Sequence, residues 1–150
     1  MYFRTLTAAA GFTLVLAATA SAQQPLDAKL TLDPSIKYDV LPNGIHYYVR
    51  KNSYPAKRAE LRLAVNAGSL VEDADQRGMA HVIEHMGFNG TTHFKKNELV
   101  NYLQSIGVRF GADLNAYTSF DETVYMLKVP TDTMRLLDKG ITVLGDWAHG

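Results

Sequence analysis

The sequence has 150 residues, a formal net charge of zero and 47% hydrophobic residues, which fits one modest globular domain with a core. It has no basic block, so we expect neither nucleic acid nor an anionic membrane as a partner. Cysteine is absent, which excludes a disulfide framework, a thiolate zinc site and a cysteine nucleophile. Any metal must therefore be bound by His, Asp or Glu.

The first 22 residues have the organisation of a secretory signal peptide. Arg4 gives a positive start, residues 8–18 are apolar, and Ala20-Ser21-Ala22 has the small-x-small pattern of a cleavage site. The apolar stretch is shorter than the ~20 residues that span a bilayer. We therefore expect export to the periplasm or the medium, with no stable membrane insertion after signal removal. Residues 23–37 are polar and contain proline, and are predicted to be a linker.

Two patterns after residue 38 predict strands. Pro42-Asn43-Gly44 separates the runs 38–41 and 45–50, and Asn-Gly favours a β-hairpin because both residues tolerate positive φ. Over residues 59–67 the odd positions are apolar and the even ones mostly polar. This period of two predicts a strand with one face on a core.

Further elements are predicted towards the C-terminus. A helix over residues 96–106 has an apolar stripe and is ended by Gly107, and a strand follows over residues 123–129. A third helix is expected after Thr131 or Asp132, either of which can cap it. The interleaved elements and the hairpin predict an α+β (mixed α/β) fold, with a largely antiparallel sheet packed against helices.

The candidate functional residues lie between the strand over residues 59–67 and the helix over residues 96–106. An acidic loop leads into a predicted helix that Gly87 ends, and His81, Glu84 and His85 lie on this helix in the pattern H-x-x-E-H. At about 100° per residue, the three side chains project from one arc about 100° wide. Two imidazoles one turn apart can bind a single Zn²⁺ at ~2.0–2.1 Å, and the adjacent carboxylate can take a proton from a metal-activated water.

Two other interpretations of the triplet are open. A pair of histidines at i and i+4 can be a coincidence on a helix surface, and the three groups can form a hydrogen-bonded core cluster. The neighbouring apolar residues predict that much of the helix is buried: Met79, Val82, Ile83 and Met86. Since a buried glutamate needs a compensating charge, this context favours a divalent cation.

The H-x-x-E-H spacing is that of the inverzincins, and it stands in an ordered series of segments. These segments are Leu41-Pro42-Asn43-Gly44, Asn66-Ala67-Gly68-Ser69, Gly78-Met79-Ala80-His81, Glu84-His85-Met86, Phe88-Asn89-Gly90-Thr91, Leu114-Asn115-Ala116-Tyr117-Thr118 and Asp121-Glu122-Thr123-Val124-Tyr125. Together they resemble the M16 family of zinc metallopeptidases over about residues 38–150.

This resemblance implies an M16-type endopeptidase domain that hydrolyses extended peptides. It implies His81 and His85 as zinc ligands and Glu84 as the general base. It also implies that Asn115 and Ala116 lie on an edge strand to which a peptide substrate adds by β-augmentation. From the residues alone, Asn115 is also compatible with a turn in a loop.

The third zinc ligand of the family is a glutamate on a later helix, which we expect beyond residue 150, since neither Glu98 nor Glu122 matches its position. Residues 38–150 are therefore expected to be an incomplete M16-type metallohydrolase domain that is inactive in isolation. The expected partners are peptide substrates and further M16 domains, in the same chain or in a partner subunit. The alternative is a non-catalytic M16-like subunit that binds peptides or acts as a scaffold. The intact motif favours the enzyme.

Overall fold

The computed structural model describes residues 27–149, so the predicted signal peptide and the start of the predicted linker lie outside the described residues. The chain divides into two compact units, with the boundary between Lys51 and Asn52. None of the helices within residues 27–149 is long and apolar enough to cross a membrane.

The first unit contains the predicted hairpin. Strands β1 (Ile36–Val40) and β2 (His46–Arg50) pair antiparallel, and Gly44 in the turn has φ 86°. Tyr38 and Tyr48 face each other across the two strands with ring centroids 4.8 Å apart, which is a stabilising cross-strand pair. The first strand begins at Ile36, one residue before the predicted end of the linker.

The second unit is built on a three-stranded antiparallel sheet. Its strands are β3 (Arg58–Val65), β4 (Leu114–Thr118) and β5 (Thr123–Pro130), in the order β3-β5-β4. Central β5 is buried along most of its length, because it has a neighbouring strand on each side. In β3 the odd positions are the less exposed ones, as the alternation predicted: Ala59, Leu61 and Leu63.

Three helices complete the second unit: α1 (Met79–Asn89), α2 (Glu98–Ser105) and α3 (Met134–His149). Helix α2 ends where predicted, and Gly107 after it has φ 85°. Helix α3 begins at Met134, so the prediction that Thr131 or Asp132 caps it is wrong. The Asp132 carboxylate lies instead 3.5 Å from Lys57 Nζ.

The core of the second unit lies between the sheet and the helices. Its buried hydrophobic residues are Phe94, Leu99, Leu103, Val108, Leu114, Tyr125, Leu127, Val129, Val143 and Trp147. Helix α3 approaches β3 closely at Gly140, where an added Cβ would lie 2.8 Å from Leu61 Cδ1. The architecture confirms the predicted fold class of antiparallel strands packed against helices.

Helix α1 does not end at Gly87, contrary to the prediction, but continues to Asn89. An added Cβ at Gly87 would lie 3.1 Å from Tyr125 Cε1 and 3.3 Å from Trp147 Cδ1. In addition, Trp147 Nε1 donates a hydrogen bond of 2.9 Å to the Gly87 carbonyl. The glycine therefore allows α1 to approach the core, instead of supplying a left-handed residue at the helix end.

Candidate active site

Helix α1 meets the core along a narrow strip. Ala80 and Gly87 are half-buried, and Glu84, which is 6% exposed, is the one buried residue of the helix. These three positions are four and three residues apart and therefore share one face. The apolar residues on the other faces are 50–58% exposed, so the prediction that they are buried is wrong: Met79, Val82, Ile83 and Met86.

The start of α1 is held by an acidic side chain from the preceding loop. The Glu72 carboxylate accepts hydrogen bonds from the backbone N–H groups of Ala80 (2.8 Å) and Gly78 (2.7 Å). These two bonds lower the pKa of Glu72. A carboxylate at this position satisfies free N–H groups and complements the helix dipole. Glu72 thus fixes the backbone of the turn that carries His81.

The imidazoles of His81 and His85 converge. Their Nε2 atoms are 2.9 Å apart, their ring centroids are 4.7 Å apart, and both side chains are exposed. Two nitrogens that bind one tetrahedral Zn²⁺ stand about 3.3 Å apart. The pair therefore fits a shared zinc ion with a small adjustment of the rings.

The described part of the chain supplies two candidate ligands, His81 and His85, and no third. Within residues 27–149 there is no group of three or more His, Asp or Glu side chains that could hold a metal ion. Glu98 accepts a hydrogen bond from the Lys95 backbone N–H (3.0 Å), and Glu122 accepts one from the Tyr117 hydroxyl (2.7 Å). A catalytic zinc needs three protein ligands, so this site is incomplete within the described residues.

Glu84 is anchored to the sheet. The Thr118 hydroxyl, at the end of β4, donates a hydrogen bond of 2.8 Å to Glu84 Oε2. Within residues 27–149, no buried side-chain N or O atom lacks a hydrogen-bond partner. Since Oε1 accepts no hydrogen bond from these residues, it must retain access to solvent. One oxygen of the carboxylate is held, and the other is accessible.

The negative charge of Glu84 is close to an aromatic core residue. The pKa of Tyr125 is raised, first by burial of its hydroxyl and second by the charge of Glu84. Tyr125 thus stays a neutral phenol at physiological pH. The Tyr125 ring stacks on Trp147 with centroids 5.0 Å apart, so the core residues that pack against α1 here are two uncharged aromatic side chains.

Strand β4 lies at the edge of the sheet, and in the described part of the chain it forms a ladder with β5 alone. The Lys128 N–H donates to the Asp113 carbonyl (2.7 Å), and the Ser119 N–H donates to the Glu122 carbonyl (2.8 Å). Hydrogen-bonded pairs alternate along an antiparallel ladder. Asn115 therefore directs its backbone groups towards β5, and Ala116 directs its N–H and C=O towards the open edge.

A second buried carboxylate joins the loop after α1 to α3. Asp146 is 5% exposed and accepts hydrogen bonds from the Thr91 hydroxyl (2.5 Å), the His93 N–H (3.1 Å) and His93 Nδ1 (2.6 Å). Burial acts to raise the pKa of Asp146, but the hydrogen bonds and the charge of His93 outweigh it and lower the pKa. This cluster fixes the loop that follows the site helix.

Comparisons with known proteins agree with this geometry. Residues 47–149 match the family described as Insulinase (Peptidase family M16). The chain is 41% identical over 120 residues to a probable zinc protease PqqL of Haemophilus influenzae, and 48% identical over 111 residues to a zinc protease PQQL-like protein of Arabidopsis thaliana. These alignments cover 80% and 74% of this chain but 13% and 12% of the relatives.

A solved structure shows the same fold. The crystal structure of the first half of the periplasmic protease PqqL from Escherichia coli matches with a TM-score of 0.76 and 38% identity. The match covers 80% of this chain and 26% of that one. The extent of the family match and the identity to these relatives lead to one conclusion: the chain belongs to the M16 (insulinase) family of peptidases.

Proposed function

We propose that the full-length protein is an exported zinc endopeptidase that hydrolyses peptide bonds in extended peptides. The observation that carries this proposal is the convergence of His81 Nε2 and His85 Nε2 to 2.9 Å, with buried Glu84 on the same helix. The names of the relatives, zinc protease and periplasmic protease, support zinc-dependent proteolysis and export, respectively. The predicted signal peptide over residues 1–22 also supports export.

His81 and His85 would hold the ion, and a glutamate beyond residue 150 would complete the ligand set. When bound, Zn²⁺ supplies Lewis acidity, which polarises a peptide carbonyl and acidifies water. Glu84 shares helix α1 with the imidazole pair and accepts a hydrogen bond from Thr118 on edge strand β4. A substrate at that edge would therefore lie near the reacting groups.

Glu84 acts as the general base. Its accessible Oε1 takes a proton from the attacking water, and the same carboxyl group then delivers the proton to the leaving amine. The partial burial of this carboxylate limits competition from bulk water. The anchored Oε2 keeps Oε1 in a fixed direction during both transfers.

The substrate binds as an additional strand beside β4. Ala116 offers an N–H and a C=O at the open edge, which is what an extended peptide needs for β-augmentation. The Asn115 backbone bonds to β5, and the Asn115 side chain is exposed. Any contact of Asn115 with the substrate would therefore come from its side chain. Because Thr118, two residues after Ala116, contacts Glu84, a peptide on this edge passes the general base.

The remainder of the enzyme would come from elsewhere in the protein. The chain spans about an eighth of the length of the relatives named above. We propose that a later helix of this same M16 domain supplies the third ligand, and that further M16 domains, in the same chain or in a partner subunit, form the opposite wall of the substrate chamber.

Zinc content and peptide cleavage of the full-length protein test this function. His81→Ala is expected to lose both zinc and cleavage of an internally quenched peptide library, because one of three ligands is gone. Glu84→Gln should keep the zinc and abolish cleavage. His46→Gln is the matched control, since His46 is an exposed histidine outside the H-x-x-E-H motif, and it should change neither property.

Cleavage that survives Glu84→Gln would rule out the general-base role. A wild-type protein that binds peptides but neither retains zinc nor cleaves would instead support the non-catalytic M16-like subunit.

A further inference from the structure

We propose that Thr118 is a positioning residue for Glu84, and that its hydroxyl sets which carboxylate oxygen accepts the proton. This inference rests on the proposed function. It assigns a role to a side chain that lies 34 residues from Glu84 in the sequence and donates to Glu84 Oε2 at 2.8 Å.

The burial of Glu84 makes this single bond important. The residue is 6% exposed, and an ionised carboxylate removed from water needs hydrogen bonds in exchange. Thr118 is the one hydrogen-bond donor to this carboxylate among residues 27–149. Without the hydroxyl, the carboxylate could rotate about its last side-chain bond, since no other hydrogen-bond donor among residues 27–149 fixes the oxygen positions.

The sheet holds the Thr118 hydroxyl in this direction. Thr118 is opposite Thr123 in the β4–β5 register, and their hydroxyl oxygens are 3.4 Å apart. A threonine hydroxyl has one proton. The proton of Thr123 is directed to the Ala67 carbonyl at 2.9 Å, so Thr118 is left to donate its own proton to Glu84.

Loss of the Thr118 hydroxyl should affect turnover and not metal binding. The Thr118 hydroxyl has hydrogen bonds to Glu84 and Thr123 and none to His81 or His85, and it is the hydrogen-bond partner of the proposed general base. Removing it should disorder Oε1 relative to the reacting water while leaving the imidazole pair intact. The effect should therefore appear in kcat, with little change in KM or in zinc affinity.

Three variants of the full-length protein test the proposal, with an internally quenched peptide that the wild type cleaves. Thr118→Val preserves shape and should lower kcat about 10- to 100-fold, the size of a lost hydrogen bond to a charged group. KM should stay within about twofold, and so should the zinc Kd from competition with a chelator. Thr118→Ser keeps the hydroxyl and should restore most of the kcat.

Thr142→Val is the matched control. It makes the same substitution and also removes a hydroxyl hydrogen bond, but that bond is directed to the Asp138 carbonyl in α3 at 3.0 Å. We expect its kcat to equal that of the wild type.

Several results would overturn the positioning role: an unchanged kcat in Thr118→Val, a Thr118→Ser variant as slow as Thr118→Val, or a zinc affinity that falls in parallel with kcat. If any of these occurs while Glu84→Gln is inactive, the inference fails and the proposed function stands. Cleavage by Glu84→Gln would instead remove the general base itself, and the role of Thr118 with it.

Discussion

Gly87→Ala should destabilise the protein relative to the same substitution at Gly145. Both glycines lie inside helices, α1 and α3 respectively. An alanine Cβ at Gly87 would lie 3.1 Å from Tyr125 Cε1 and 3.3 Å from Trp147 Cδ1, whereas a Cβ at Gly145 meets nothing within 4 Å. The two variants therefore add the same methyl group to a closed and to an open environment.

The magnitude follows from two opposing terms. Replacing a helical glycine by alanine stabilises by up to about 1 kcal/mol through helix propensity, and this term applies at both sites. At Gly87 the new carbon is closer than the normal carbon contact of about 3.5–4.0 Å. Overpacking of this kind costs about 1–3 kcal/mol, so the free energies of unfolding of the two variants should differ by about that amount.

Urea unfolding monitored by tryptophan emission measures this difference. Trp147 is the one tryptophan of the sequence and contacts Gly87 directly, so its native emission should change in Gly87→Ala and not in Gly145→Ala. Equal midpoints and unchanged native emission in both variants would show that α1 does not depend on its close approach to Trp147.

Two further substitutions test other parts of the structure. Asp146→Asn should lower the free energy of unfolding by about 1 kcal/mol at neutral pH, because neutral hydrogen bonds replace charge-assisted ones. Since folding lowers the pKa of Asp146, this stabilisation is present above the pKa of an unfolded carboxyl group and disappears as the pH falls through the folded pKa. Urea titrations at several pH values measure it, with the exposed Asp138→Asn as the control. Ala116→Pro should leave the fold and zinc content intact, because the Ala116 N–H lies outside the β5 ladder, but it should raise the KM for peptides about fivefold by removing one edge hydrogen bond. Asn115→Pro deletes an N–H of the ladder and should therefore destabilise the sheet. Equal effects of the two substitutions on stability would refute the assignment of the open edge to Ala116.

Elements whose conformation is determined by residues close together in the sequence were predictable. The hairpin turn needs a positive φ at Gly44, and the end of α2 needs one at Gly107; both follow from glycine at a local position. The alternation in β3 follows from one face that meets the core. The H-x-x-E-H spacing placed His81, Glu84 and His85 on one arc, because helical periodicity alone determines that geometry.

Contacts between distant parts of the chain were not predictable from local patterns. Gly87 has the typical appearance of a helix end, but its role is to contact Trp147, 60 residues later. The bonds from Thr118 to Glu84 and from His93 to Asp146 likewise join residues 34 and 53 apart. Polar side chains in such pairs leave no periodic signal, since only the fold brings them together.

Strand β4 shows why the residues alone left an alternative open. Asn115 is disfavoured in strands and common in turns, and the strand is only five residues long. Pairing with the buried β5 determines its conformation. The resemblance to M16 peptidases predicted an edge strand here, whereas the residue pattern also permitted a loop.

Anomalous diffraction at the zinc absorption edge, from crystals of the full-length protein, determines whether His81 and His85 share one zinc ion. We expect one anomalous peak within about 2.1 Å of both Nε2 atoms, and its loss in crystals of His85→Ala. A zinc-containing protein whose anomalous peak lies away from these two imidazoles would show that they do not bind the ion.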